Sequence, residues 1–236
     1  MWSEFVSPET IDSRVWPRTA AIAERLWSPA TVKDVDDMYR RLAVTSVRLE
    51  ELGLNHERNR RMMLRRMAGS TAGEEALLVL VDLVEPLKVY ARPSSRPKDA
   101  PYRQDTPLTR LVDAAGPDAP AARRVAAAVA RDDRVSLRAT FEEWSRLPAA
   151  LEPVLAASPV LAEASPLLAD LAALARIGRE AVDALDAGGT PEGWHAGATA
   201  ALDAAGKPKA EVEIVVVPAL KALVDRAARL PPPASR

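Results

Sequence analysis

The chain has 236 residues, enough for one or two domains at roughly 100–200 residues each. Hydrophobic residues make up 48% but aromatics only 4%, so Ala, Leu and Val must build the core. That suits packed helices better than a β-sandwich, which draws on Tyr, Phe and Thr. The formal net charge of -1 predicts no strong attraction to nucleic acid or to an anionic membrane.

There is no Cys, which excludes disulfides and thiolate sites. The two His, His56 and His195, lie far apart, so no His-based metal site is expected. No apolar run approaches the roughly 18 residues of a membrane span. The first residues lack a basic region followed by an apolar stretch, so no signal peptide is expected in this chain.

Trp2 and Glu4 stand two apart, which in an extended strand puts both on one face. An indole packs on the apolar face of a pyranose, and a carboxylate accepts hydrogen bonds from its hydroxyls. A core Trp beside a surface Glu fits the same spacing. Residues 7–14 have a loop's composition. Trp16-Pro17 then starts a helix over residues 18–27, with a buried face carried by Ala20, Ala21, Ile22, Ala23 and Leu26. Ser28-Pro29 ends it.

A second helix is predicted over 31–52, with an apolar stripe through Val35, Met38, Tyr39, Leu42, Val47 and Leu49. Gly53 stops it. Residues 56–67 are basic, with Arg58, Arg60, Arg61, Arg65 and Arg66 against Glu57. A nucleic-acid patch would need aromatics there. Met62, Met63 and Met67 interleave instead, so a solvated or docking helix is expected. Residues 73–91 read as a third helix, kinked or split at Pro86. Residues 92–106 hold three Pro and few apolar side chains, and read as a linker or long loop.

Helices over 107–115, 119–130, 133–147, 148–157 and 159–187 follow, punctuated by Pro and Gly. Thr190 is the expected cap of the next helix, with Pro191 at its first position. The last amphipathic helix is expected over 208–230, although the β-branched run 212–217 also fits a strand. A frayed tail is expected over 231–236. The acidic neighbours Asp36-Asp37, Glu50-Glu51, Glu74-Glu75, Asp132-Asp133 and Glu142-Glu143 lie in helical patterns and read as solvated faces. No strict repeat of the solenoid kind is present.

The opening MWSEF, then WPRTAAIAERLWS, then VKDVDDMYRRLAVTSVRLEELGL resembles the end of the catalytic barrel in glycoside hydrolase family 20, the β-N-acetylhexosaminidases. In that family the eighth barrel strand ends in Met-Trp-x-Glu, and the helix behind it reads Trp-Pro-Arg-x-x-Ala-x-Ala-Glu-Arg-Leu-Trp. Here those positions are Trp16, Pro17, Arg18, Ala21, Ala23, Glu24, Arg25, Leu26 and Trp27. Asp36, Tyr39, Arg40, Arg41, Leu42, Arg48, Leu49, Gly53 and Leu54 continue the match to about residue 55. The stretch 108–115 looks, more weakly, like a helical C-terminal extension carried by some bacterial members.

The resemblance implies a mainly α chain: the last strand and helix of a TIM (β/α)8 barrel over 1–68, then an all-α accessory domain over 73–230. It implies that Trp2 walls the pocket for a terminal N-acetylhexosamine and that Glu4 bonds that sugar's hydroxyls at positions 4 and 6. Both would stand at the C-terminal end of a barrel strand, where such folds place their active sites. Trp16, Trp27, Glu24 and Arg25 would tie the last helix to the barrel.

The family works by substrate assistance. The sugar's acetamido group attacks its own anomeric carbon while an Asp-Glu pair on the fourth strand orients it and protonates the leaving oxygen. That pair has no counterpart here, so no catalytic residue is assigned and the chain alone is expected not to hydrolyse. No cofactor and no metal are implied. The implied partners are an N-acetylhexosamine-containing glycan and an upstream barrel fragment, and the parent would be periplasmic or secreted. One subunit of a split enzyme, or a non-catalytic helical interaction module, remains the alternative.

Overall fold

The computed structural model describes residues 5–230. Among them the chain is mainly helical, with one small two-stranded sheet. The first helix, α1 (Ile11–Val15), is a single turn within the segment expected to be a loop. Thr10 is buried before it, accepts from the Ser7 N–H at 2.8 Å and takes the Ser13 hydroxyl on its carbonyl at 2.8 Å. These local bonds replace the open loop that the polar composition suggested.

Helix α2 (Arg18–Trp27) forms as expected; α3 (Val35–Glu51) starts later than the expected residue 31, where Asp34 accepts from the Asp37 N–H at 2.9 Å. Gly53, at φ 95°, supplies the left-handed stop. Arg41 reaches Glu24 through two bonds of 2.5 and 3.1 Å, and Arg25 donates to the Val32 carbonyl at 2.7 Å. Glu24 therefore ties α2 to α3, and Arg25 ties α2 to the loop between them. Neither helix has a buried residue. This corrects the expected buried stripes: Leu26 is 80% exposed and Trp27 90%. Amphipathic periodicity fixes which face is apolar, but the described residues cover it only in part: Met38, Tyr39, Leu42 and Leu49 are half-buried, and Arg123 stacks on the Tyr39 ring at 3.4 Å.

Helix α4 (His56–Ala68) buries His56, Met63, Leu64 and Met67. Its arginines meet carboxylates: Arg60 reaches Asp82 at 2.6 Å, and Arg61 and Arg65 both reach Glu74 on α5 (Thr71–Val81). Glu74 is itself buried, which corrects its reading as part of a solvated face.

The helix expected over 73–91 ends at Val81. The chain then forms β1 (Val84–Pro86), antiparallel to β2 (Val212–Ile214), with Val84 opposite Ile214 and Pro86 opposite Val212. The strand reading thus wins over the helix at 212–214. Pro86 lacks a ladder donor and ends the short strand. Short helices α6 (Ala91–Ser94) and α7 (Leu111–Ala114) bracket a long loop.

Helix α8 (Pro120–Ala130) leads to α9 (Arg134–Ala157), which runs unbroken through Pro148 and Pro153 where two helices were expected. Phe141, Trp144, Leu147, Leu151, Val154 and Leu155 form one buried stripe along it. Both prolines lie off that stripe, so packing outweighs the lost N–H donors. The segment expected as a single helix over 159–187 divides into a 3-10 turn (Pro159–Ala164) and α10 (Pro166–Ala187). Helix α11 (Trp194–Ala205) starts after Gly193 rather than at Thr190, and α12 (Val217–Ala228) closes the chain. One continuous core runs from Met63 to Ala227 and is built mostly of Leu, Val and Ala. It fits the aromatic-poor composition.

Candidate functional site

Trp2 and Glu4 lie outside the described residues, so the site is built from Phe5 onward. The Phe5 ring meets Tyr102 edge-on, centroids 4.6 Å apart and planes at 67°. On the same ring stands the Arg92 guanidinium, 4.1 Å from the centroid. After Phe5 the chain turns through Ser7–Thr10 into α1. Asp12 there accepts from the Asn55 N–H at 2.8 Å, and Arg14 donates to the Asp113 carbonyl at 3.3 Å. These bonds hold the first described residues against α4 and α7.

Behind Phe5 lies the densest polar network of the described residues. Arg92 is buried. It donates to Asp113 Oδ1 at 2.6 Å and to Glu211 Oε2 at 3.1 Å. The Tyr102 hydroxyl donates to Glu211 and accepts from Arg92 Nη2 at 2.9 Å. Arg110 bonds Glu211 and also Glu163, the latter in part through Nε at 2.8 Å. Asp113 also accepts from the Arg110 N–H at 2.9 Å and so caps α7. Burial of these charges is tolerable because each finds opposite charge and hydrogen bonds together.

Electrostatics follow from that pairing. Burial alone would lower the Arg92 pKa, but Asp113 and Tyr102 carry it above the ordinary value. Burial pushes the Glu211 carboxyl up, while Tyr102, Arg110 and Arg92 outweigh it and hold the group below its ordinary value. Tyr102 is raised by burial and by its bond to Glu211.

Backbone geometry aims Glu211 at the network. Lys209 and Val212 exchange two backbone bonds of 3.0 and 2.9 Å around Ala210 and Glu211. Both central residues take positive φ, 50° and 62°. Such left-handed residues match the twist of a tight hairpin but strain a side-chain-bearing residue.

Two clefts open on either side of Phe5. One, of about 450 Å³, is lined by Phe5, Arg14, Arg18, Ile22, Leu87 and Arg92 among others. Burial lowers the pKa of both Arg14 and Arg18, with Asp113 partly offsetting this for Arg14. The other, of about 770 Å³, runs between residues 5–9 and 102–109 and presents Glu9, Gln104, Asp105 and Thr106. Guanidinium groups line the first, and carboxylate, amide and hydroxyl groups line the second. Among the described residues no cluster of three His, Asp or Glu is arranged to hold a metal, and no helix is long and apolar enough to cross a membrane.

Sequence reasoning missed Arg92, Tyr102 and Glu211, and it gave Arg110 and Asp113 no role. Arg92 and Tyr102 sit in the Pro-rich stretch read as a linker or loop, and Glu211 precedes a β-branched run. The available signal was the 108–115 stretch, whose Arg110 and Asp113 are both network members.

The class defined here is an α-helical protein whose first described residues dock on a buried ionic network. The family model for Glycosyl hydrolase family 20, catalytic domain, matches residues 1–30. Beta-hexosaminidase subunit beta of Mus musculus is 46% identical over 54 residues, covering 23% of this chain and 10% of the relative. Chitooligosaccharidolytic beta-N-acetylglucosaminidase of Ostrinia furnacalis is 42% identical over 57 residues, covering 24% of this chain and 9% of the relative. The X-ray structure of Flavobacterium johnsoniae chitobiase superposes with a TM-score of 0.82 at 34% identity, over 95% of this chain and 34% of that one.

The opening residues thus match the catalytic-domain model of glycoside hydrolase family 20, and nearly the whole chain shares the fold of part of a chitobiase. The chain spans about a tenth of the curated relatives it matches and about a third of the chitobiase.

Proposed function

We propose that this chain is the C-terminal portion of a β-N-acetylhexosaminidase. In this reading residues 1–68 end the catalytic barrel and residues 73–230 form a helical accessory region. The match to the chitobiase across 95% of the chain carries the reading, because it joins both parts in one continuous similarity. The exposed apolar faces of α2 and α3 support it, since a barrel helix needs neighbouring strands to cover it.

In the whole protein Trp2 packs on the terminal N-acetylhexosamine and Glu4 accepts hydrogen bonds from its hydroxyls. An upstream Asp-Glu pair orients the acetamido group and protonates the leaving oxygen. The 236-residue chain lacks that pair's strand and does not hydrolyse on its own. The test compares the chain with the polypeptide that carries the upstream barrel, using 4-nitrophenyl N-acetyl-β-D-glucosaminide. Turnover by the longer protein alone, with KM raised by Glu4→Gln, supports the reading. Absence of turnover by the longer protein overturns it.

A second reading is a helical interaction module. The continuous core from Met63 to Ala227 favours it, because that core needs no further chain to close. A monomeric 236-residue species in the native host would select it.

A further inference from the structure

Phe5 follows directly on Glu4 and stands against the most heavily charged buried cluster among the described residues. Arg92 directs Nε to Glu211 and Nη2 to Asp113 and the Tyr102 hydroxyl. These bonds from Nε and Nη2 fix the plane of the guanidinium, and its flat face is left to pack. Phe5 covers that face at 4.1 Å, while Tyr102 meets the same ring edge-on at 4.6 Å. A desolvated guanidinium over an aromatic face is a strong, oriented contact.

The elements behind it are fixed. Asp113 caps α7, and Glu211 sits in a tight turn leading into β2. The residues after Phe5 turn on their own hydrogen bonds between Ser7 and Thr10. Phe5 therefore anchors the first described residues to the helical region.

We propose that the Phe5–Arg92 contact positions the sugar-binding end of the chain, so that the helical region sets the placement of Glu4; Phe5 and Arg92 are then positioning residues. This rests on the family-20 reading above. It gives the accessory region a task in binding: a carboxylate displaced by about 1 Å leaves hydrogen-bond distance of the sugar's hydroxyls.

The test uses Phe5→Leu, which keeps an apolar side chain and leaves every ionic partner of Arg92 in place, with Phe5→Tyr as the conservative variant. In the 236-residue chain, hydrogen exchange of amides 5–10 is measured. Phe5→Leu is expected to speed it by about tenfold while α9 and α10 keep wild-type protection. Phe5→Tyr should restore slow exchange. Wild-type exchange in Phe5→Leu overturns the anchoring.

In the longer protein, Phe5→Leu is expected to raise KM for 4-nitrophenyl N-acetyl-β-D-glucosaminide by about tenfold with a smaller change in kcat. Thermal unfolding should stay unchanged. An active protein with unaltered KM overturns the positioning role even where exchange has changed. A wild-type longer protein without hydrolysis overturns the family-20 reading instead, which the exchange experiment does not depend on.

Discussion

The Phe141 ring on α9 occupies the space that a β-carbon on Gly178 of α10 would need, with ring carbons 2.6–2.7 Å from that position. The glycine is what lets these two long helices close on each other. Both residues are buried, so the ring has little room to swing aside. Gly178→Ala gains helix propensity of roughly 1 kcal/mol but overpacks a full core, at a cost of about 1–3 kcal/mol. A lower urea midpoint is expected. A raised midpoint would mean that the ring relocates freely.

Arg92 joins two carboxylates that are otherwise far apart in the chain. Arg92→Met leaves Asp113 and Glu211 buried without their shared cation, which is expected to destabilise the chain by about 3–5 kcal/mol. Arg92→Lys should recover only part of this, because an ammonium cannot address Asp113, Glu211 and Tyr102 with a fixed fork. Chemical unfolding of the two variants beside wild type decides the point. Equal stability of all three would show that the network contributes nothing net.

Glu211 gives the network a pH dependence of defined sign. Its folded pKa lies below its ordinary value of 4.5: burial would raise it, and Tyr102, Arg110 and Arg92 lower it further than burial raises it. The unfolded carboxyl therefore binds its proton first as pH falls. The stabilisation is full above the ordinary value and is lost as pH drops through the folded one. Denaturant midpoints measured from about pH 6 down to about pH 3 should fall more steeply for wild type than for Glu211→Gln. Parallel curves would remove Glu211 from the acid response.

Ala210 takes a left-handed conformation at φ 50° in the turn that presents Glu211. An L-residue there costs roughly 1–2 kcal/mol relative to a relaxed backbone. Glycine has no such penalty but loses more chain entropy on folding. Ala210→Gly is expected to raise stability by up to about 1 kcal/mol without altering the network. A melting temperature below wild type would show that the turn is not strained.

Helices α2, α3, α4 and α8 were legible because local signals agree there: Trp16-Pro17 before α2, the stop at Gly53 after α3, and apolar periodicity within them. Strand β1 was not, because Val81, Leu83 and Val84 continue the apolar run of α5. Only pairing with Val212–Ile214, far along the chain, selects the extended form. The unbroken course of α9 past Pro148 was hidden for a similar reason, since its buried stripe is satisfied by α10 rather than by local propensity. The ionic network joins Arg92, Asp113 and Glu211 from three separate segments, and no spacing rule links them. Trp2 and Glu4 were read from their two-residue spacing and from a motif rather than from packing.

Trp27 and Leu26 end α2 with large apolar side chains in solvent, and Ile22 and Val47 are more than half exposed nearby. An uncovered face of this kind favours association through whatever apolar surface it meets. The isolated chain is therefore expected to self-associate with rising concentration. Leu26→Gln combined with Trp27→Gln should suppress this, at a stability cost within about 0.5 kcal/mol, because neither side chain packs in a core. Light scattering across a concentration series reads the effect. If the double variant associates as wild type does, another surface drives it. If it becomes monomeric and also fails to join the upstream barrel when the two are mixed, the same face serves both contacts.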